Sequence, residues 1–255
     1  MSAAEPEEGE GQSFISHLVE LRERLLKSIA AVLLILVVLL PFANRLYHLI
    51  AEPLMELLPK DAKMVAIDVA SPFLTPVRLA FFVALFLAMP VLIYQAWRFV
   101  APGLYRHEKK LAVPLLVSSV LMFYAGCAFA YFLVLPKVFA FMLNTTPEGV
   151  AMTTDIGRYL DFVLTMFFAF GLCFEVPVIV FILATLGWVT PAQLTMHRPY
   201  VILGAFVVAA IVAPPDVLSM IMLAIPMCLL YEIGVIAVRI FVRRSEAGTA
   251  DAASR

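Results

Sequence analysis

The 255-residue chain is 63% hydrophobic and only 15% charged, with a mean hydropathy of +0.98. Soluble domains are about 45–50% apolar, and a single core of this length has no room for the surplus apolar surface, so the composition calls for a bilayer. The net charge of −1 supplies no global field for nucleic acid, which excludes that class of partner.

Residues 1–12, with Glu5, Glu7, Glu8 and Glu10, read as an acidic, disordered tail. Arg22, Arg24 and Lys27 then precede an apolar stretch beginning at Ile29, superficially like a secretory signal. The acidic lead and the lack of an A-x-A site make it an uncleaved first helix instead. A spanning helix needs about 20 residues, which Ser28–Tyr47, Val77–Trp97, Leu111–Leu135 and Tyr159–Leu186 supply. Tyr200–Val212 is short, and only Ala213-Pro214-Pro215-Asp216 separates it from Val217–Val238. A re-entrant fifth run would leave Arg239, Arg243 and Arg244 outside, against the positive-inside rule, so the last two runs read as a tight spanning hairpin. The fold class is an all-α polytopic membrane protein of six kinked transmembrane helices, with a membrane domain over 13–244 and a disordered tail over 245–255.

With both termini inside, Arg45, Lys60, Lys63, Arg78, Lys137 and Arg158 are the outer cations, leaving 12 of the 18 Lys and Arg residues inside. That bias sets the orientation as N-in, C-in. Two outer loops, about Leu49 to Thr75 and Pro136 to Arg158, are long enough to pack together as a cap. Prolines 90, 114, 177 and 226 interrupt apolar runs; such breaks kink helices while neighbours satisfy the freed carbonyls, which favours a curved wall.

Catalytic signatures are missing. There is no GxGxxG, Walker loop or GxSxG elbow, and His107-Glu108-Lys109-Lys110-Leu111 lacks the second histidine of HExxH. Cys127, Cys173 and Cys228 lie singly in apolar runs, as packing residues do, and no metal or cofactor is called for. Three polar features remain. Phe14 to Lys27 carries Phe14, Ile15, Leu18, Leu21 and Leu25 on one helical face, with Glu20–Arg24 and Glu23–Lys27 in favourable i,i+4 order; an interfacial helix and a docking surface for a partner peptide both fit. In the basic loop from Arg98 to Lys110, Glu108 is the lone carboxylate, either a solvated ion pair or a bidentate acceptor for an arginine. Glu175 lies deep in the fourth run beside Pro177, where a charge costs about 2.5–3.5 kcal/mol on insertion scales. It must face protein, water or a partner, bond to the backbone freed by Pro177, or be protonated. As an ion site it would make the chain a small proton-coupled secondary transporter.

In order along the chain stand His17-Leu18-Val19-Glu20-Leu21-Arg22-Glu23-Arg24-Leu25, Ala70-Ser71-Pro72-Phe73, Phe99-Val100-Ala101-Pro102-Gly103-Leu104 with His107-Glu108, Phe174-Glu175-Val176-Pro177, Arg198-Pro199-Tyr200 and Pro214-Pro215-Asp216. Each fragment is weak alone, but the ordered set, over about residues 13 to 244, resembles the TatC family. These are receptor subunits of the twin-arginine protein translocase of bacteria and plastids. The resemblance implies a glove-shaped, non-enzymatic six-helix wall in the bacterial cytoplasmic membrane, exporting folded cargo at the expense of the proton-motive force. It implies that Glu20, Arg22, Phe99 and Glu108 bind the paired arginines of signal peptides. It also implies that Glu175 meets single-span TatA-type and TatB-type partners, and that Pro53 and Asp216 are family positions. Self-association in a larger complex, within membrane lipid, is implied too. Met220 departs from relatives that carry glutamine there.

Overall fold

The computed structural model describes residues 8–49, 66–100, 109–145, 155–212 and 217–253. Helix α1 (Glu8–Leu39) is interrupted at Pro41, where one 3-10 turn (Leu40–Phe42) passes the chain into α2 (residues 43–49). Helix α3 (Ser71–Val100) begins six residues before the expected span: Pro72 sits in its first turn, where a missing N–H costs nothing, and Pro76 and Pro90 are carried inside. Helix α4 (Lys109–Phe129), a π-helical stretch (Ala130–Val134) and α5 (Leu135–Thr145) make one continuous rod. Half of the expected third loop is therefore helix. The wider π turn directly precedes Pro136, whose ring would otherwise clash with the carbonyl one turn earlier.

Helix α6 (Ile156–Thr185) is fixed at both ends. At its start the Asp155 carboxylate accepts the Arg158 N–H and the N–H of Ile67, both at 3.2 Å, which ties the segment before α6 to the segment before α3. At its end Gly187 takes φ +74°, and the N–H groups of Gly187 and Trp188 donate back to Ala184 and Leu183 at 3.0 Å. This 6→1 and 5→2 pair needs a left-handed residue, which glycine supplies without strain. A capping box between Thr190 and Gln193 starts α7 (Pro191–Met196), followed by α8 (Arg198–Val212) and α9 (Val217–Ala253). Helix enters both stretches read as disordered tails, from Glu8 and through Ala253. Acids favour a helix start, and the alanines near the C-terminus are strong helix formers.

Among the described residues, five helical stretches are long and apolar enough to cross a membrane, and Arg198–Val212 is a shorter sixth; its 15 residues rise only about 22 Å. The helices stand as a wall centred on α6. Helix α1 packs on α3, α3 and α4 on α6, α9 on the other flank of α6, and α8 on α9. Buried Ala84 and Ala88 let α1 lie close on α3 around Val32. Leu79, Leu160 and Leu164 join α3 to α6, and Val163, Met166 and Phe170 of α6 meet Val138, Leu223 and Ala224.

Close approach uses glycine. A Cβ on Gly126 would stand 2.5 Å from the Phe170 carbonyl oxygen, one on Gly171 2.5 Å from the Phe123 ring, and one on Gly234 2.9 Å from Pro177 Cα. Such small-residue seams suit membrane helices, which gain little from apolar burial and depend on tight packing. One proline break is answered by a neighbouring helix: Pro90 frees the Phe86 carbonyl, and the Tyr124 hydroxyl donates to it at 2.9 Å.

Candidate functional site: a groove around Glu175 and the ends of α1 and α3

One face of α6 carries Leu172, Glu175, Ile179 and Ile182 at helical spacing, and Leu186 follows at its C-terminal cap. With α3 and α4 this stripe lines an open groove of about 590 Å³. Among the described residues that line it, Glu175 alone is charged, and apart from Ser119 and the indoles of Trp97 and Trp188 the rest are apolar side chains. The glutamate is half-buried, and its Oε1 is buried with no hydrogen-bond partner. That oxygen is an unfilled acceptor in apolar surroundings, a costly arrangement for a carboxylate. Ser119 lines the same groove, and its hydroxyl accepts the Trp97 Nε1–H at 3.4 Å.

The groove runs toward the end of the wall where α1 starts and α3 finishes, since Trp97 lies two residues before Phe99. At that end Glu20 is engaged by Arg24, which presents both Nε and Nη2 to the same carboxylate oxygen. Glu23 binds Lys27 at 2.5 Å, and Arg98 is near enough to act on the Glu23 carboxylate. The packing of α1 on α3 therefore brings Glu20, exposed Arg22 and partly buried Phe99 to one end of the wall. Glu108, Pro53 and Asp216 lie outside the described residues.

A second intramembrane acid went unnoticed in the sequence. Glu232 of α9 lies within the Met220–Ile240 span and accepts from Arg198 Nη2 at 2.6 Å. The signal was present, because any acid inside an apolar run needs a partner, and here the first residue of α8 supplies it. Ser119 was likewise passed over as one of two serines in the third run. Met220 packs against the α6 core, and no group of three or more metal-ligating side chains occurs among the described residues.

Comparison with known proteins adds independent weight. A family model described as Sec-independent protein translocase protein (TatC) matches residues 16–226. A protein of that name from Azotobacter chroococcum mcd 1 is 54% identical over 252 residues, covering 99% of each chain. Another, from Escherichia coli strain K12, is 54% identical over 231 residues, covering 91% of this chain and 90% of that protein. A crystal structure of a twin arginine translocase receptor, TatC, superposes with a TM-score of 0.80 at 38% identity, over 88% of this chain and 98% of that one.

Proposed function

The chain belongs to the TatC family of Sec-independent protein translocase proteins, and from that premise we propose that Glu20, Arg22, Phe99 and Glu108 receive twin-arginine signal peptides while Glu175 receives a single-span partner. It is a multi-pass membrane protein working as a translocase subunit and not as an enzyme. The solute-transporter reading finds no support: the family is one of protein translocases, and the second intramembrane acid, Glu232, is already neutralised by Arg198.

The observation that carries the signal-peptide reading is the hold of Arg24 on Glu20. A guanidinium already addresses this carboxylate through two nitrogens, and an incoming arginine brings the same planar fork. Glu108, between α3 and α4 in the sequence, provides the second carboxylate. Replacing Glu108 by Lys is expected to abolish photocrosslinking to a twin-arginine signal peptide without loss of insertion. Glu108→Gln, which keeps the acceptor and loses the charge, is milder. Unchanged crosslinking in the Glu108→Lys protein would move the site elsewhere.

The partners at Glu175 are TatA-type and TatB-type single-span helices, with further copies of this chain in the same complex. Transport of folded cargo draws on the proton-motive force, and Pro53 and Asp216 serve at the family positions they match. The chain sits N-in and C-in in the bacterial cytoplasmic membrane, as the distribution of Lys and Arg favours. Single cysteines in place of Asp68 and Gln193, in a background lacking Cys127, Cys173 and Cys228, are expected to label only from the outer and only from the inner face, respectively. The reverse pattern would invert the topology.

A further inference from the structure

We infer that Arg24 is a built-in stand-in for a signal-peptide arginine: it occupies Glu20 in the empty receptor and yields when the peptide binds, so that a side chain able to replace both of its bonds is favoured. The inference rests on the reading of Glu20 as part of the twin-arginine site and deepens it by naming what sets its selectivity. On α1 the less exposed positions include Glu20, Arg24, Ser28, Val32, Ile35 and Leu36, whereas residues 21–23 and 25–27 are exposed. The stripe that packs on Ala84 and Ala88 of α3 therefore runs on, beyond its apolar part, through a charged pair. The Arg24 side chain is 15% exposed and that of Glu20 35%, against 55% and 64% for the neighbouring pair of Lys27 and Glu23.

The bonding within the covered pair is lopsided. Nε, at 3.0 Å, and Nη2 of Arg24 both donate to Oε1 of Glu20. Among the described residues, Oε2 is neither bonded nor sealed from solvent. A guanidinium matches a carboxylate best with two parallel N–H groups on its two oxygens, and an incoming arginine reaches that geometry once Arg24 gives up Oε1. The exchange is like for like, and the freed side chain of Arg24 is long enough to reach water. A lysine has no such route. Its ammonium is a point charge, and at Oε2 it meets a carboxylate that Arg24 already neutralises. The charge balance points the same way: Arg22, Arg24, Lys27 and Arg98 stand at this end against Glu20 and Glu23. Four cations against two acids repel basic segments in general, and repulsion of wrong ligands is a common source of specificity.

The test measures binding of two signal peptides, one with the arginine pair and one with lysines in its place, to the full-length protein in native membranes. The readout is photocrosslinking against peptide concentration. In Arg24→Gln, half-maximal crosslinking of the arginine peptide is expected at about two- to fivefold lower concentration, the scale of a helical ion pair. The lysine peptide should gain more, so the preference for arginine narrows. Arg24→Lys, which keeps a cation opposite Glu20, should stay near wild type. Lys27→Gln removes an equal charge without touching Glu20, and is expected to give the smaller gain. Arg24→Met, which keeps the packing of the stem, serves if Arg24→Gln fails to insert. Weaker or unchanged binding of the arginine peptide, a gain no larger than that of Lys27→Gln, or an unaltered preference for arginine would overturn the proposal. Undiminished crosslinking in Glu20→Gln is a different result, which removes Glu20 from the site and the stand-in with it.

Discussion

Gly126→Ala tests the seam on which the groove is built. The new Cβ would stand 2.5 Å from the Phe170 carbonyl oxygen, 2.9 Å from its carbon and 3.0 Å from Gly171 Cα. All three are backbone atoms of α6, so no side chain can swing aside, and α4 must retreat by about 1 Å to restore ordinary contact near 3.5 Å. Overpacking of this kind costs about 1–3 kcal/mol, and alanine's better helix propensity returns about 1 kcal/mol at most. A net loss of up to about 2 kcal/mol follows, or up to several degrees in Tm for a chain of this length. Gly204→Ala is the control, since nothing lies within 4 Å of its Cβ position; it should be neutral or slightly stabilising. Thermal unfolding of the purified proteins in one detergent makes the comparison. Should Gly126→Ala melt with Gly204→Ala, the seam is loose and the packing argument is wrong.

Arg198→Met leaves Glu232 unpaired inside a span, and the loss should approach the insertion cost of a lone charge, about 2.5–3.5 kcal/mol; adding Glu232→Met should recover most of the lost Tm. A single variant no worse than the double would show the pair to be dispensable. Asp155 is held below the ordinary carboxylate range, chiefly by the N–H of Ile67 and then by the amides of Arg158 and Gly157. Because the folded value is depressed, its stabilisation is complete above the unfolded value, near pH 3.9, and is lost as pH falls through the lower folded value. Asp155→Ala should lower Tm at neutral pH. Asp155→Asn, which keeps an acceptor, should flatten the acid limb of the Tm–pH curve, and an unchanged limb would refute the role of this carboxylate.

The spans were legible because bilayer thickness imposes one length scale on every apolar run, and the short fifth run was visible as short for the same reason. Loop boundaries were less legible because proline does not announce which carbonyls its neighbours can satisfy. Pro72 and Pro76 read as loop residues until α3 is seen to accommodate both, and Pro136 reads as a stop until the π turn ahead of it is seen. Glu175 stood out as a lone acid, whereas Ser119 did not, since a serine in an apolar run acquires meaning only from what another helix sets against it. The pairing of Arg198 with Glu232 spans 34 positions, a separation across which no local periodicity speaks. The hold of Arg24 on Glu20 was legible, being one helical turn long.

The central place of α6 in the wall has a consequence for biogenesis. Spans leave the ribosome in order, and α4 is made before the helix whose backbone its Gly126 touches. Until α6 arrives, the flank of α4 that will be buried faces lipid, while α1 and α3 can already pair through Val32, Ala84 and Ala88. The wall therefore closes in two strokes. A hairpin of the earliest spans waits in the membrane, and the arrival of α6 then docks α3 and α4 and offers its other flank to α9. A chain cut short before α6 retains most of its hydrophobic length, yet it lacks the element against which the groove is formed.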